Sequence, residues 1–388
     1  MTEAARHAGR DGAIIGIDAS RNRSGGAKAH LIGILLEGDP LAHGVSEIHV
    51  WSYKSLLDAL PDEPWLVKHN PPALECSLLH QMWWQSRELP REVRGVGCDV
   101  LLSTDAGTVC RYNPSVVMSR DMLSYEPGAM RRYGFSKAWL RLLLLRYVQA
   151  SSLRHAHGAI FLTRYAASVI QRVTGELKRM SIIPHGVGSS FSRPPPTRSW
   201  SQDPQRQVLC LYVSNAAMYK HQWVVVRAIA ALRRRGHNIR LRLVGGGSGP
   251  AQRLIDSEIA AHDPRGEFVD CVGPVSHGNI PRELAEADMF VFASSCENMP
   301  NTLVEAMAAG LPIACSDRGP MPEILQDGGL YFDPEDDGSI AAAVERILSD
   351  PALRLSLAER AHALSQQYSW ARCGGETWKF LREIAVEA

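Results

Sequence analysis

A chain of 388 residues with 45% hydrophobic content is far longer than one small core requires, and two domains of ordinary size account for it. Its charged fraction of 21% and formal net charge of +1 exclude the strong overall field of a nucleic-acid-binding protein. Eight cysteines, at 76, 98, 110, 210, 271, 296, 315 and 373, show no CxxC pair or other metal-ligand spacing, which fits buried free thiols in a reducing compartment. The opening "MTEAARHAGRDG" has no apolar core of signal-peptide type, and no run approaches the roughly 18–20 apolar residues of a spanning helix. The expected location is cytoplasmic, with peripheral attachment to the inner face of the cell membrane left open.

In chain order, the strand "AIIGIDAS" (13–20) ends in the glycine-bearing loop "RNRSGGAKAH" (21–30), and a helix is expected from about Ala27 with Leu31, Leu35 and Leu36 on its apolar side. Further strands are expected at 47–51, 98–103, 115–119, 158–163 and 180–184, with helical patterns between many of them, as an α/β domain requires. The pair Trp83 and Trp84 reads either as core packing or as a stacking surface for sugar rings. From Pro127 to Gly175 there is no acidic residue, while the same span holds several arginines and Lys137 around "AWLRLLLLRYV". That helix either packs its leucines on the sheet or lies against an anionic membrane surface. No nucleic-acid-binding module accompanies the bases, so nucleic acid is not an expected partner.

Three consecutive prolines in "FSRPPPTRSWSQDPQ" cannot sit in a helix interior or a central strand, so a linker is expected at 196–206. It separates a first domain at 1–195 from a second at 207–365, with a closing helix within 366–388 expected to pack back towards the first domain. The second half repeats the alternation: strands at 207–214, 239–245, 268–272, 288–292, 312–315 and 329–332, with helices at 220–235, 250–261, 300–309 and 339–350. In parallel α/β units ligands bind at the carboxyl ends of the strands, so two such edges facing one another would form an active-site cleft.

The stretch "CENMPNTLVEAMAAGLP" (296–312) concentrates the chemistry. Pro300 suits a first helical turn, Asn298 is a candidate cap, and the backbone N–H groups of Asn301, Thr302 and Leu303 would then form a cup for phosphate. Glu305 lies one turn inside, within reach of a ribose, and Glu297 stands before the helix, where it can accept from sugar hydroxyls. Lys220, in "NAAMYKHQW" after a strand, supplies positive charge for a phosphate oxygen. Gly246, in "VGGGSGP", permits close backbone approach. Taken singly, each is ordinary surface or turn chemistry; together, at strand ends of one domain, they favour a ligand with a sugar at one end and phosphate in the middle.

The segment "SSCENMPNTLVEAMAAGLPIACSDRGPMPEIL" resembles the E-x7-E region of retaining GT-B glycosyltransferases, glycosyltransferase family 4, in its bacterial polysaccharide-type members. "SIIPHGV", "GLYFDPED" and "NAAMYKHQW" resemble further elements of the same family. The resemblance implies an α/β GT-B fold of two Rossmann-like domains facing a central cleft, the first on the acceptor side and the second binding the nucleotide-sugar. It implies transfer of a hexose-type sugar, with retained configuration, from a nucleoside diphosphate donor (GDP- or UDP-sugar). The acceptor would be a hydroxyl of a glycan or lipid-linked oligosaccharide in surface polysaccharide or lipopolysaccharide synthesis. Glu297 and Lys220 would be the catalytic pair, and donor binding would fall to Gly25, Gly26, Asn215, Lys220, Gly246, Asn301, Thr302, Leu303 and Glu305.

No metal and no cofactor are expected. Two positions depart from the family pattern. Asn215 stands where many relatives carry an arginine, so either another base helps hold the diphosphate or its stabilisation is weaker. Arg120 and Asp121 stand where many carry a His-Asp pair, so Arg120 is expected to touch sugar or acceptor rather than act as a base. Glycosylation of a small metabolite and a nucleotide-sugar epimerase of the same fold are the alternative readings.

Overall fold

The computed structural model describes residues 12–23, 25–195 and 206–387. The chain divides into two compact units, Met1–Gly186 with Ser369–Ala388, and Val187–Tyr368. All but residue 206 of the expected linker lies outside the described residues.

The first unit runs β1 (Ala13–Asp18), α1 (Gly25–Glu37), β2 (Val45–Trp51), α2 (Lys54–Leu57), β3 (Leu66–His69), α3 (Leu78–Arg87), α4 (Leu89–Gly95), β4 (Val100–Ser103) and β5 (Ser115–Ser119). It continues through α5 (Lys137–His155), β6 (Gly158–Phe161), α6 (Arg164–Thr174) and β7 (Met180–Ile182). The second unit runs β8 (Val208–Asn215), α7 (Gln222–Arg234), β9 (Ile239–Gly246), α8 (Pro250–His262), β10 (Val269–Gly273), α9 (Ile280–Glu286), β11 (Met289–Phe292) and α10 (Asn301–Ala308). It ends with β12 (Ile313–Ser316), α11 (Met321–Leu325), β13 (Gly329–Phe332), α12 (Asp337–Ser349) and α13 (Pro351–Ser365); α14 (Trp370–Glu387) then belongs to the first unit.

Both sheets are parallel, with strand orders β3-β2-β1-β4-β5-β6-β7 and β10-β9-β8-β11-β12-β13. The order reverses between β1 and β4 in the first unit and between β8 and β11 in the second. At such a point the loops leaving adjacent strands diverge and open a crevice at the carboxyl edge. Central strands covered by helices on both faces read as unbroken apolar runs, and β4, β6, β11 and β12 are buried along their whole length.

The helices carry their own stop and start chemistry. Thr163 caps α6 by accepting from the Ala166 N–H, Asp336 caps α12, and Asp350 caps α13 ahead of Pro351, each satisfying a donor the helix cannot. Among the described residues, β3 is the strand the alternation does not forecast. Its "LVKH" sequence is half exposed at a sheet edge, where period-two patterning is weakest. Helix α1 opens at Gly25 rather than near Ala27, because a first turn tolerates residues of low helix propensity.

Helix α14 returns to the first unit and packs on α1 and β4. The approach is close at Gly33, where an added Cβ would lie 2.3 Å from the Trp370 ring. A fused ring within the fold cannot swing aside as a flexible tip would. Gly33→Val is therefore expected to lower stability by about 1–3 kcal/mol through overpacking, read as a drop in the urea midpoint with an unchanged slope.

Candidate active site

The second unit's switch point is built from two loops sewn together. The loop after β8 carries Lys220, and the loop after β11 carries Ser294 to Glu297. The buried Tyr212 hydroxyl donates to the Lys220 carbonyl at 2.6 Å, and the Ser295 N–H donates to the Tyr219 carbonyl at 2.8 Å. His221, in the left-handed region at φ 50°, places its Nε2 2.9 Å from Ser295 Oγ. Burial, reinforced by the Glu297 carboxylate, pushes the Tyr212 phenol well above its ordinary range, so it stays a donor.

This seam holds Lys220 Nζ in an ion pair with Glu297 Oε1. The two side chains are only 11% and 15% exposed, and the ammonium also lies 5.3 Å and 5.6 Å from the Tyr219 and Phe292 ring centroids. Removing one partner of such a desolvated pair strands the other, at a cost of about 3–5 kcal/mol where burial is complete.

Helix α10 begins beside this pair, and here two expectations are corrected. Pro300, not Asn298, occupies the cap position, with φ −82° and ψ 77° and no side-chain capping bond. The anticipated cup of three open N–H groups is also narrower. Asn301 N–H donates to the Met299 carbonyl and Leu303 N–H to the Pro300 carbonyl, both at 3.0 Å, because proline at the cap turns the chain tightly enough to satisfy them locally. Among the described residues, Thr302 keeps the open N–H of the three.

Glu305 is buried, with Oε1 accepting from His277 Nε2 at 2.9 Å, while its Oε2 is buried without a partner. The hydrogen bond to Glu305 raises the His277 pKa above its usual value. His277, after β10, is the site residue that sequence reading missed. The signal was available in its place after a strand of the same domain, but an isolated histidine in "VSHGN" carries no spacing of its own.

Asn215 ends β8 directly opposite Gly246, which ends β9. Gly246 has φ +99°, and Gly245 beside it has φ +123° with Ser214 O only 2.1 Å from any added Cβ. Both positions thus require glycine. Around this edge lies a recess of about 220 Å³ bordered by Tyr212, Leu243, Gly246, Gln252, Ile255 and Pro274. Among the described residues, no group of three or more His, Cys, Asp or Glu could hold a metal ion. Asp336, in the acidic turn 335–337, serves as a helix cap.

The other candidates belong to the first unit. Gly25 and Gly26 form the first turn of α1 rather than a loop, and a Cβ at Gly25 would meet nothing within 4 Å. Arg120 follows β5. Its Nη2 donates to Asn22 Oδ1 at 3.1 Å, whereas its Nε and Nη1 are buried without partners, and burial lowers its pKa. Asp121 accepts from the Leu123 N–H at 2.9 Å and so closes the local turn; burial raises its pKa. The tryptophan pair divides: Trp84 is buried with its indole N–H on Glu92 Oε1 at 2.9 Å, and Trp83 is 52% exposed.

Comparison with known proteins adds similar sequences and the fold. Residues 197–364 match the family Glycosyl transferases group 1. The chain is 31% identical over 181 residues to alpha-D-kanosaminyltransferase of Streptomyces kanamyceticus, covering 46% of each chain. It is 27% identical over 270 residues to a GDP-mannose-dependent alpha-(1-6)-phosphatidylinositol monomannoside mannosyltransferase of Mycobacterium tuberculosis, covering 64% of this chain and 68% of that one. The match thus spans about half the length of the first of these relatives. The structure of Anabaena HepE in complex with UDP-glucose superposes with a TM-score of 0.69 at 18% identity, covering 97% of this chain and 99% of that one. The architecture is the GT-B fold.

The His277–Glu305 bond sets a pH dependence. A histidine whose folded pKa is raised stabilises fully below its unfolded value, about 6.5, and that contribution fades as pH rises through the folded value. Thermal unfolding of wild type against His277→Gln is therefore expected to show a gap that is fully present below about pH 6 and closes as pH rises through the raised folded value.

Proposed function

We propose, for a chain of GT-B fold resembling glycosyltransferases that act on nucleotide-sugars, that it is a retaining glycosyltransferase. It moves a hexose-type sugar from a nucleoside diphosphate donor to a hydroxyl of a glycan or lipid-linked oligosaccharide in cytoplasmic assembly of a surface polysaccharide. The observation that carries this reading is the Lys220–Glu297 pair at the β8/β11 switch point beside the opening of α10.

The chemistry follows from what each group has to offer. Bond breakage at the anomeric carbon throws negative charge onto the departing diphosphate, and a fixed cation aimed there stabilises the transition state. Lys220 supplies that charge, with the Thr302 N–H and the start of α10 beside it. The unpartnered Glu305 Oε2 is a buried acceptor whose desolvation costs about 1–3 kcal/mol until something donates to it, and a ribose hydroxyl is such a donor. The recess at Gly246 takes the base. Glu297 accepts from hydroxyls of the donor sugar, and this loosens its hold on Lys220 as the phosphate arrives. In a front-face transfer the departing phosphate takes the acceptor's proton, so no protein base is required.

Arg120, with two unpaired nitrogens, is assigned to sugar or acceptor, with Asp121 shaping its turn. Gly25 and Gly26 are assigned to the donor side. The relatives' names support a nucleotide-sugar substrate: one is described as GDP-mannose-dependent and acts on a phosphatidylinositol monomannoside, and the solved HepE structure holds UDP-glucose.

A panel of UDP-, GDP-, ADP- and dTDP-sugars, scored by release of the nucleoside diphosphate in the presence of acceptor, tests the reading; release from none of them would end it. Within that assay, Lys220→Ala/Glu297→Gln removes both charges together and is expected to unfold close to wild type while losing about 10²–10³ in kcat. Glu305→Ala is expected to weaken nucleotide binding by about tenfold or more, read by calorimetry. Glu297→Gln alone frees Lys220 and is expected to tighten binding of the bare nucleoside diphosphate several-fold while slowing transfer. Unchanged diphosphate affinity in that variant would show that Glu297 does not compete for the lysine.

A further inference from the structure

Helix α3 turns one large aromatic side chain away from the core. Its buried residues are Trp84 and Gln85, whereas the neighbouring Trp83 is 52% exposed. The His80 ring stands edge-on to the Trp83 indole, with centroids 5.8 Å apart and planes at 78°, so it steadies the indole while covering at most one of its two faces. Trp83 borders a recess of about 540 Å³ together with His69, Asn70, Glu88 and Glu92. An indole left to solvent beside such a recess adds little to the core and offers a broad surface for stacking.

The rear of the recess is fixed in advance. Glu92 Oε1 accepts from the Trp84 indole N–H at 2.9 Å and Oε2 from the Trp51 indole N–H at 2.7 Å, and each carboxylate oxygen keeps a further lone pair for another donor. His69 stacks on Trp51 with centroids 4.6 Å apart, and its Nε2 lies 2.8 Å from His49 Nδ1. The charge at the recess is acidic. Lys68 is engaged by Asp62 Oδ1 at 2.6 Å and by the Leu60 carbonyl at 2.9 Å, whereas Glu88 and Glu92 both present carboxylates. Such a lining repels a phosphate or any other anion. It suits an uncharged ligand with an apolar face for the indole and hydroxyls for the carboxylates and the Asn70 amide, and a pyranose ring combines the two.

We infer that this recess is a saccharide-binding subsite, with a pyranose stacked on Trp83, its hydroxyls donating to Glu88 and Glu92 and bonding to the Asn70 amide. The choice of a sugar as occupant rests in part on the glycosyltransferase reading above. The recess lies at the carboxyl end of β3, which closes at His69, on the edge where parallel sheets receive ligands. β3 is two strands out from β1, about 10 Å from the first unit's switch point at the usual strand spacing. A sugar held there is a residue of the acceptor other than the one that reacts, which makes the acceptor a chain of at least two sugars rather than a small metabolite.

Binding of the full chain to an array of bacterial surface glycans, with no donor present, tests the subsite apart from turnover. Wild type is expected to bind glycans of two or more residues, Trp83→Ala to bind them about tenfold more weakly, and Trp83→Phe to stay within about threefold of wild type. Because Trp83 is half exposed, both variants are expected to keep the wild-type unfolding temperature. In transfer assays Trp83→Ala is expected to raise KM for an oligosaccharide acceptor by about tenfold and to leave KM for the donor unchanged. Capture of no glycan, or binding that Trp83→Ala leaves unaltered, overturns the inference while the result of the donor panel stands. Binding of UMP that Trp83→Ala abolishes also overturns it, by identifying a site for a nucleobase. Trp83-dependent glycan binding by a protein that releases diphosphate from no donor would end the transferase reading and uphold the saccharide site.

Discussion

The second unit is organised around a lysine and a glutamate that neutralise one another at the point where its strand order reverses. Neither charge has a place in the interior alone. Lys220 is held by the turn that Tyr212 and Ser295 anchor from beneath, and Glu297 is held by the loop that this turn is stitched to. The pair is thus both a structural element joining two strand-end loops and a reserve of charge at the edge where a parallel sheet receives ligands. With the carboxylate in contact, the site presents little net field to an incoming diphosphate. A ligand that occupies Glu297 with hydroxyls while offering phosphate to Lys220 meets both needs at once, whereas phosphate alone must compete with the carboxylate.

This view assigns a graded role to the surrounding groups. The opening of α10 contributes less than a wholly free helix terminus, because two of its first three N–H groups are bonded to Met299 and Pro300 carbonyls. In the proposed reaction the lysine is accordingly assigned more of the charge stabilisation, the more so as Asn215 provides no charge. Glu305 is half satisfied: His277 fills one oxygen and leaves the other buried and open. Such a group is costly in the resting protein, and in the proposed complex a ligand hydroxyl at that position recovers the lost hydrogen bond.

The central parallel strands were legible in the sequence because strands covered on both faces need continuous apolar runs, as "SVVMS" of β5 shows, whereas "GLYF" of β13 lies at a sheet edge with Leu330 and Tyr331 half-buried. The edge strand β3 was not, since Lys68 and His69 interrupt any such run. Lys220, Glu297 and Glu305 were legible as strand-end and helix-start residues of one domain. What spacing could not convey was their pairing: that Lys220 meets Glu297, that His277 meets Glu305, and that Pro300 displaces Asn298 from the cap. Those depend on which loops a strand order brings side by side. The leucines of α5 carried two readings in the sequence, since a run of four contains both a buried and an exposed face; burial shows that Leu140, Leu143 and Leu144 belong to the exposed one.

The most direct measurement is a crystal structure of the protein with a nucleoside diphosphate bound. The account predicts phosphate oxygens within hydrogen-bond distance of Lys220 Nζ and the Thr302 N–H, a ribose hydroxyl on Glu305 Oε2, and the base in the recess beside Gly246. A diphosphate bound away from the β8/β11 crevice, with the Lys220–Glu297 pair undisturbed and Glu305 Oε2 still without a partner, would contradict it.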